Sequence, residues 1–136
     1  MSNITQVVNT DKNLKILKKG VHASDMDQVL SSTGPYTFFA PTDLAFEKLE
    51  KGFMDNMLEP INRARLADLI SNHVVKGKIN FDALKDGDKL LSVNNKEIQI
   101  QVKNGIVTIG DATLQAREAK ISNGVIHIMD TVLQKN

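Results

Sequence analysis

Five side chains able to do acid–base or nucleophilic chemistry stand where active sites are often built. Thr42 and Asp43 follow Pro41, where the apolar stretch Tyr36 to Ala40 gives way to a helical pattern. His73 closes the apolar stripe of a later helix, and His127 precedes Asp130 within the apolar run Val125 to Leu133. A hydroxyl, an imidazole and a carboxylate are the parts of an acyl-transfer site, in which the base activates the nucleophile and the acid orients the base. Thr42, either His73 or His127, and Asp130 supply one of each. The strand–turn–helix GxSxG context that exposes a nucleophile is missing, and no motif gathers spare carboxylates. A hydrolase using a buried His–Asp pair is therefore a remote alternative.

Metal and phosphate chemistry find less support. There is no cysteine, which excludes thiolate catalysis and Cys-ligated zinc. His22, His73 and His127 are scattered and form no HExxH pair. Asp82, Asp86 and Asp88 in DALKDGDKLL superficially resemble a calcium loop, but lack its alternating ligand ladder and terminal Glu. That segment reads as a turn between a short helix and a strand. Lys76-Gly77-Lys78 has no Gly-rich anchor and no following Ser or Thr, so it reads as a bent strand with solvated lysines. The expectation is no metal and no cofactor.

Capping explains the Pro41-Thr42-Asp43 turn with fewer assumptions. Beyond Pro41 the backbone is extended, so the Thr42 hydroxyl is placed to accept from the amide of Ala45. Such a cap contributes ~1 kcal/mol. Asp43 then falls in the first helical turn, where its charge suits the helix dipole. Phe46 and Leu49 anchor that helix in the core. A lone histidine on an apolar stripe, such as His73, is more often a hydrogen-bonded core residue than a catalyst.

These positions must be held by one domain spanning 1–136, a length that buries roughly two-thirds of the unfolded surface. Apolar residues make up 41% of the chain and aromatics only 4%, so the core is aliphatic. Seventeen basic residues are interspersed with sixteen acidic ones, without the basic face that nucleic acid requires. The first residues carry no basic segment followed by an apolar one, and no apolar run approaches the ~20 residues of a membrane span. The expectation is a soluble monomer without a signal peptide.

The first half reads as helices. Ile4, Val7 and Val8 share a face, as do Leu14, Leu17 and Val21, with Gly20 a candidate stop. Ser24 is a candidate N-cap for a helix bearing Met26, Val29 and Leu30. A strand over 36–40 precedes a short helix ending at Gly52. A further helix begins at Asn62 and carries Leu66, Leu69, Ile70 and His73 on one stripe. From Val74 the period becomes two. Asn104-Gly105 is a type I′ hairpin turn, which sets Val102 against Val107, Gln101 against Thr108 and Ile100 against Ile109. Val125 to Leu133 is apolar on both faces, as a central covered strand would be. Helices followed by strands predict an α+β fold.

Three separated segments together resemble the fasciclin domain. Thr37, Phe39, Ala40, Pro41, Thr42, Asp43, Ala45 and Phe46 match the pattern T-x-F-A-P-T-N/D-x-A-F. His73, Val74 and Val75 match the middle signature Y-H-V-V. Asn123, Gly124, Val125, Ile126, His127, Asp130, Val132 and Leu133 match N-G-V-I-H-x-I/M-D-x-V-L. With the helical lead-in, the resemblance covers nearly the whole chain. It implies N-terminal helices packed on a wedge of two antiparallel sheets. It also implies a non-enzymatic adhesion or protein-interaction role toward protein, cell-surface or matrix partners, outside the cell or on its surface; a cytoplasmic location or a trimmed chain is the alternative. The motif residues are expected to be mainly structural, with Asn72 and His73 as possible interaction residues. Asn72 stands where the family has the Tyr that animal members use toward integrins, and no RGD is present, so that recognition does not carry over. Some fasciclin-like proteins resemble carotenoid binders, which makes a carotenoid- or lipid-like ligand a second reading. Its only support in the sequence is the aliphatic content and the methionines Met26, Met54, Met57 and Met129, which core and loop anchoring explain more cheaply.

Overall fold

A computed structural model describes residues 2–133, with residues 116–120 described by their backbone alone. Helices α1 (Ile4–Thr10), α2 (Lys15–Ala23) and α3 (Met26–Leu30) lead into β1 (Tyr36–Pro41), followed by α4 (Asp43–Glu47), α5 (Phe53–Met57) and α6 (Arg63–Ser71). The remainder is β2 (Val74–Lys76), β3 (Lys89–Leu91), β4 (Glu97–Gln99), β5 (Gln101–Lys103), β6 (Ile106–Ile109), β7 (Ala112–Ile121) and β8 (Gly124–Met129). This is the α+β order that the change of period predicts.

One sheet has the order β2-β1-β8-β7-β6-β5, and β3 and β4 form a second. The larger sheet is mixed, which corrects the expectation of two antiparallel sheets. β1 runs parallel to β8, with Phe39 beside His127, while every other pairing is antiparallel. The helical crossover between β1 and the later strands permits this direction, since parallel neighbours need a long connection.

β1 and β8 are adjacent inner strands, and both of their faces are covered. Phe38, Ala40 and Ile126 pack with the helices, among Leu14, Leu17, Leu66 and Ile70. Phe39 and Met129 face the other way, among Ile98, Ile100, Val107 and Ile109. A strand between two cores must be apolar at consecutive positions, which is why Phe38 and Phe39 are adjacent. Each is fully buried, a burial that stabilises by ~2–3 kcal/mol per ring.

Several helix ends differ from expectation. Gly20 lies inside α2, where its bare Cα faces Ile70 and Leu66; it permits close helix packing and does not stop the helix. Ser24 is the C-cap of α2, its hydroxyl donating back to the Val21 carbonyl, and Asp25 opens α3. Gly52 does not end α4. It precedes α5 at φ 83, a left-handed conformation that glycine adopts without strain. Asn62 precedes α6 but its side chain does not cap it, donating instead to the Asn56 carbonyl.

The hairpin has the anticipated register, with Val102 opposite Val107 and Gln101 opposite Thr108. Asn104 and Gly105 have φ of 54 and 79, as the turn requires. The ladder stops one pair short of Ile100. That residue bonds the loop at Gly87 and Asp88 instead, and the chain passes there from β4 to β5.

Candidate functional site

The residues that could have carried catalysis hold separate parts of the backbone together. Thr42 Oγ accepts from the Ala45 amide at 3.3 Å, the expected cap of α4. Asp43 does more than suit the α4 dipole. Its carboxylate accepts from the Ile16 amide at 2.8 Å, in the first turn of α2, a helix whose own N-cap residue Leu14 offers no side-chain acceptor. The Asp43 amide in turn donates to the Asn13 carbonyl at 2.9 Å.

His73 is 2% exposed and satisfied at both nitrogens. Nδ1 lies 2.8 Å from the Leu69 carbonyl, and Nε2 accepts from the Leu133 amide at 2.9 Å. These partners require the neutral tautomer protonated at Nδ1. Burial, which disfavours the charged ring, pulls the His73 pKa down to about 4 against the weaker opposing effect of the Leu69 carbonyl. The ring thereby ties the end of α6 to the segment that follows β8.

His127 is fully buried on β8, stacked at 5.5 Å on Phe39, with Nε2 2.7 Å from the Ile79 carbonyl. Thr37, two residues before Phe39, serves the same loop, donating to the Gly77 carbonyl and accepting from the Ile79 amide. Asp130 accepts from the Thr113 amide at 2.8 Å and from the Thr131 hydroxyl at 3.1 Å, which pins the start of β7. Its other oxygen lies 4.0 Å from Lys48 on the surface. Asp130 is thus engaged elsewhere than at His73 or His127, and Thr42 faces its own helix. The structure does not assemble the hydroxyl–imidazole–carboxylate set.

Asn123 is the most heavily engaged of the motif side chains, and its role was not evident from the sequence. Its Oδ1 accepts from the Ile4 amide at 3.0 Å, and its Nδ2 donates to the carbonyls of Leu30 (2.8 Å) and Ser32 (2.7 Å). One buried amide therefore joins α1, the end of α3 and the turn before β8. Gly124 follows at φ 154, where a Cβ would collide with the backbone of Tyr36.

In the acidic segment Asp82 lies in a short 3-10 helix (Phe81–Ala83), and a turn at 86–87 leads on to β3, as expected. Asp88 accepts from the Lys85 amide and Asp86 from the Val102 amide. Among the described residues no group of three or more His, Cys, Asp or Glu side chains is placed to hold a metal ion. Met26, Met57 and Met129 are buried core residues. No helix among the described residues is long and apolar enough to cross a membrane.

The two candidate interaction residues separate in role. His73 lies beneath the surface, whereas Asn72, 7% exposed, lines two adjoining clefts of about 370 and 460 Å³. The orientation of its amide is set by a chain of bonds. The Lys96 amide donates to Ser92 Oγ, the Ser92 hydroxyl to Asn94 Oδ1, and Asn94 Nδ2 to both the Asp68 carbonyl and Asn72 Oδ1. Asn72 Nδ2 is left as a donor with no acceptor among the described residues.

The comparisons agree with this architecture. The Fasciclin domain model matches residues 12–135. The chain is 35% identical over 130 residues to Protein sll1483 of Synechocystis sp., covering 96% of this chain and 72% of that one. It is 28% identical to transforming growth factor-beta-induced protein ig-h3 of Sus scrofa, covering 97% of this chain but 19% of that larger protein. The fold superimposes on a FAS1 domain pair of the insect cell adhesion molecule fasciclin I with a TM-score of 0.86 at 14% identity, covering 98% of this chain and 51% of that one. The chain belongs to the fasciclin domain family.

Proposed function

We propose that this chain is a non-enzymatic interaction module, one unit over 1–136 and a monomer, that meets a protein, cell-surface or matrix partner outside the cell or on its surface. The observation that carries this reading is the commitment of Thr37, Thr42, Asp43, His73, Asn123 and Asp130 to backbone groups of their own chain. What the chain has in common with the cell adhesion molecule fasciclin I is then a scaffold, and recognition falls to surfaces outside the motifs. A metal or cofactor has no part in this reading.

Beads coated with the purified protein provide the test, challenged with whole cells, immobilised matrix proteins and polysaccharides. Saturable retention that free protein competes away is the expected result. Absence of retention on all of these, together with ester or glycoside turnover that His73→Ala abolishes in a folded protein, would overturn the reading.

A further inference from the structure

Among the described residues the outer edge of β4 in the two-stranded sheet is open. β4 pairs with β3 through Lys89–Gln99, Leu90–Ile98 and Leu91–Glu97, and no strand lies on its other side among the described residues. Bonds at both ends of this ladder, from the Ile100 amide to the Asp88 carbonyl and from the Ser92 amide to the Lys96 carbonyl, fix its phase. Antiparallel ladders alternate bonded and non-bonded pairs. Ile98 therefore bonds β3, while Glu97 and Gln99 turn their N–H and C=O groups away from it.

Glu97 and Gln99 both line the cleft of about 370 Å³. The cleft opens because β5 stays against β6 while β4, beyond Ile100, diverges to join β3. Ile109, Ala112 and Val132 give it an apolar wall, and Asn72 lines it as well. Glu97 and Asp111 also line it, both exposed, and neither makes an ion pair among the described residues.

We infer that the free edge of β4 receives an extended peptide segment of a protein partner, added as a strand, with aliphatic side chains against Ile109, Ala112 and Val132 and a basic side chain beside Glu97 and Asp111. The inference rests on the interaction-module reading and names the chemistry of its partner. Edge addition draws its affinity from main-chain hydrogen bonds and its selectivity from alternate side chains. Here Glu97 and Gln99 supply the former. Asn72 Nδ2 provides a further donor for a peptide carbonyl, and the unpaired acids supply the charge complementarity.

The test uses the intact protein and a phage-displayed library of random nine-residue peptides. Selected peptides are expected to alternate aliphatic residues and to carry a lysine or arginine. On adding a selected peptide, the Glu97 and Gln99 amides should exchange hydrogen at least tenfold more slowly. Gln99→Pro removes an edge N–H that β3 does not use, and should weaken binding at least tenfold; Glu97→Lys should reverse the preference for basic peptides and serves if the proline variant does not fold. Failure to enrich any peptide, protection of amides elsewhere, or unchanged binding by folded Gln99→Pro and Glu97→Lys would overturn the inference. So would slow exchange of both amides in the free protein, or a concentration-dependent dimer that Gln99→Pro disrupts, since the edge would then be occupied by this chain or by a second copy. Bead retention that persists in Gln99→Pro sinks the peptide cleft and leaves the module reading standing. Peptide binding at the cleft without bead retention supports the cleft and counts against adhesion.

Discussion

The Asp43 carboxylate lies 2.8 Å from the amide nitrogen of Ile16, so the acid that opens α4 also satisfies the first turn of α2. Thr42 beside it caps α4 itself. The two residues fasten two helices at the exit of β1 and are committed to that task. Asp43→Ala should lower stability by about 1–2 kcal/mol, the range for loss of a helix cap, with the sheet hairpin unaffected. Urea unfolding measures this, and an unchanged midpoint would contradict the assignment.

Asn123→Ala should be costlier, because two buried partners and one part-buried partner lose their bonds together. The Ile4 amide and the carbonyls of Leu30 and Ser32 would be left without the side chain that now serves them. Unsatisfied buried groups cost ~1–3 kcal/mol each, so the two buried ones together set an expected loss of roughly 2–6 kcal/mol by urea unfolding. Asn123→Asp should also destabilise, since a carboxylate cannot donate to the two carbonyls.

Gly124→Ala should fail for a steric reason. At φ 154 the added methyl runs into the Tyr36 backbone, with which Gly124 is paired in the parallel ladder. A loss of at least ~2 kcal/mol, or failure to recover soluble protein, is the expected outcome. A variant as stable as the parent would show that β1 and β8 pair differently.

Acid should weaken the fold through His73. The ring titrates near 6.5 in the unfolded chain and at about 4 in the folded one. As pH falls from 6.5 to 4 the unfolded state takes up the proton first, so stability that is complete above 6.5 is lost progressively until about 4. At 1.36 kcal/mol per pKa unit the loss is on the order of 3 kcal/mol. The difference in unfolding free energy between the parent and His73→Gln should change across this window and stay level above it. A level difference throughout would mean that His73 is not held neutral by burial.

Local chemistry was legible in the sequence and distant chemistry was not. Asn104 and Gly105 announce their turn because the two residues themselves must take positive φ, and Thr42 announces its cap because its partner is three residues away. Asp43 and Ile16 are 27 positions apart, and Asn123 reaches Ile4 across 119, so no local pattern flags either bond. Gly20 and Gly52 were misread for a related reason. Glycine marks a helix end, a start or a close packing contact, and only the neighbouring elements decide which. The parallel direction of β1 and β8 was hidden because apolar runs covered on both faces carry no sign of strand direction. The cleft beside β4 follows from the chain turning away from β6 at Ile100, a consequence of pairing with β3 that alternation alone does not disclose.

If the motif side chains hold the fold and the proposed partner recognition lies elsewhere, stability and retention must separate. Parallel urea unfolding and bead-retention curves on Asp43→Ala and His73→Gln, taken where both variants remain folded, measure that separation. Lowered unfolding midpoints with unchanged retention are expected. Unchanged midpoints with retention abolished would contradict that assignment of roles.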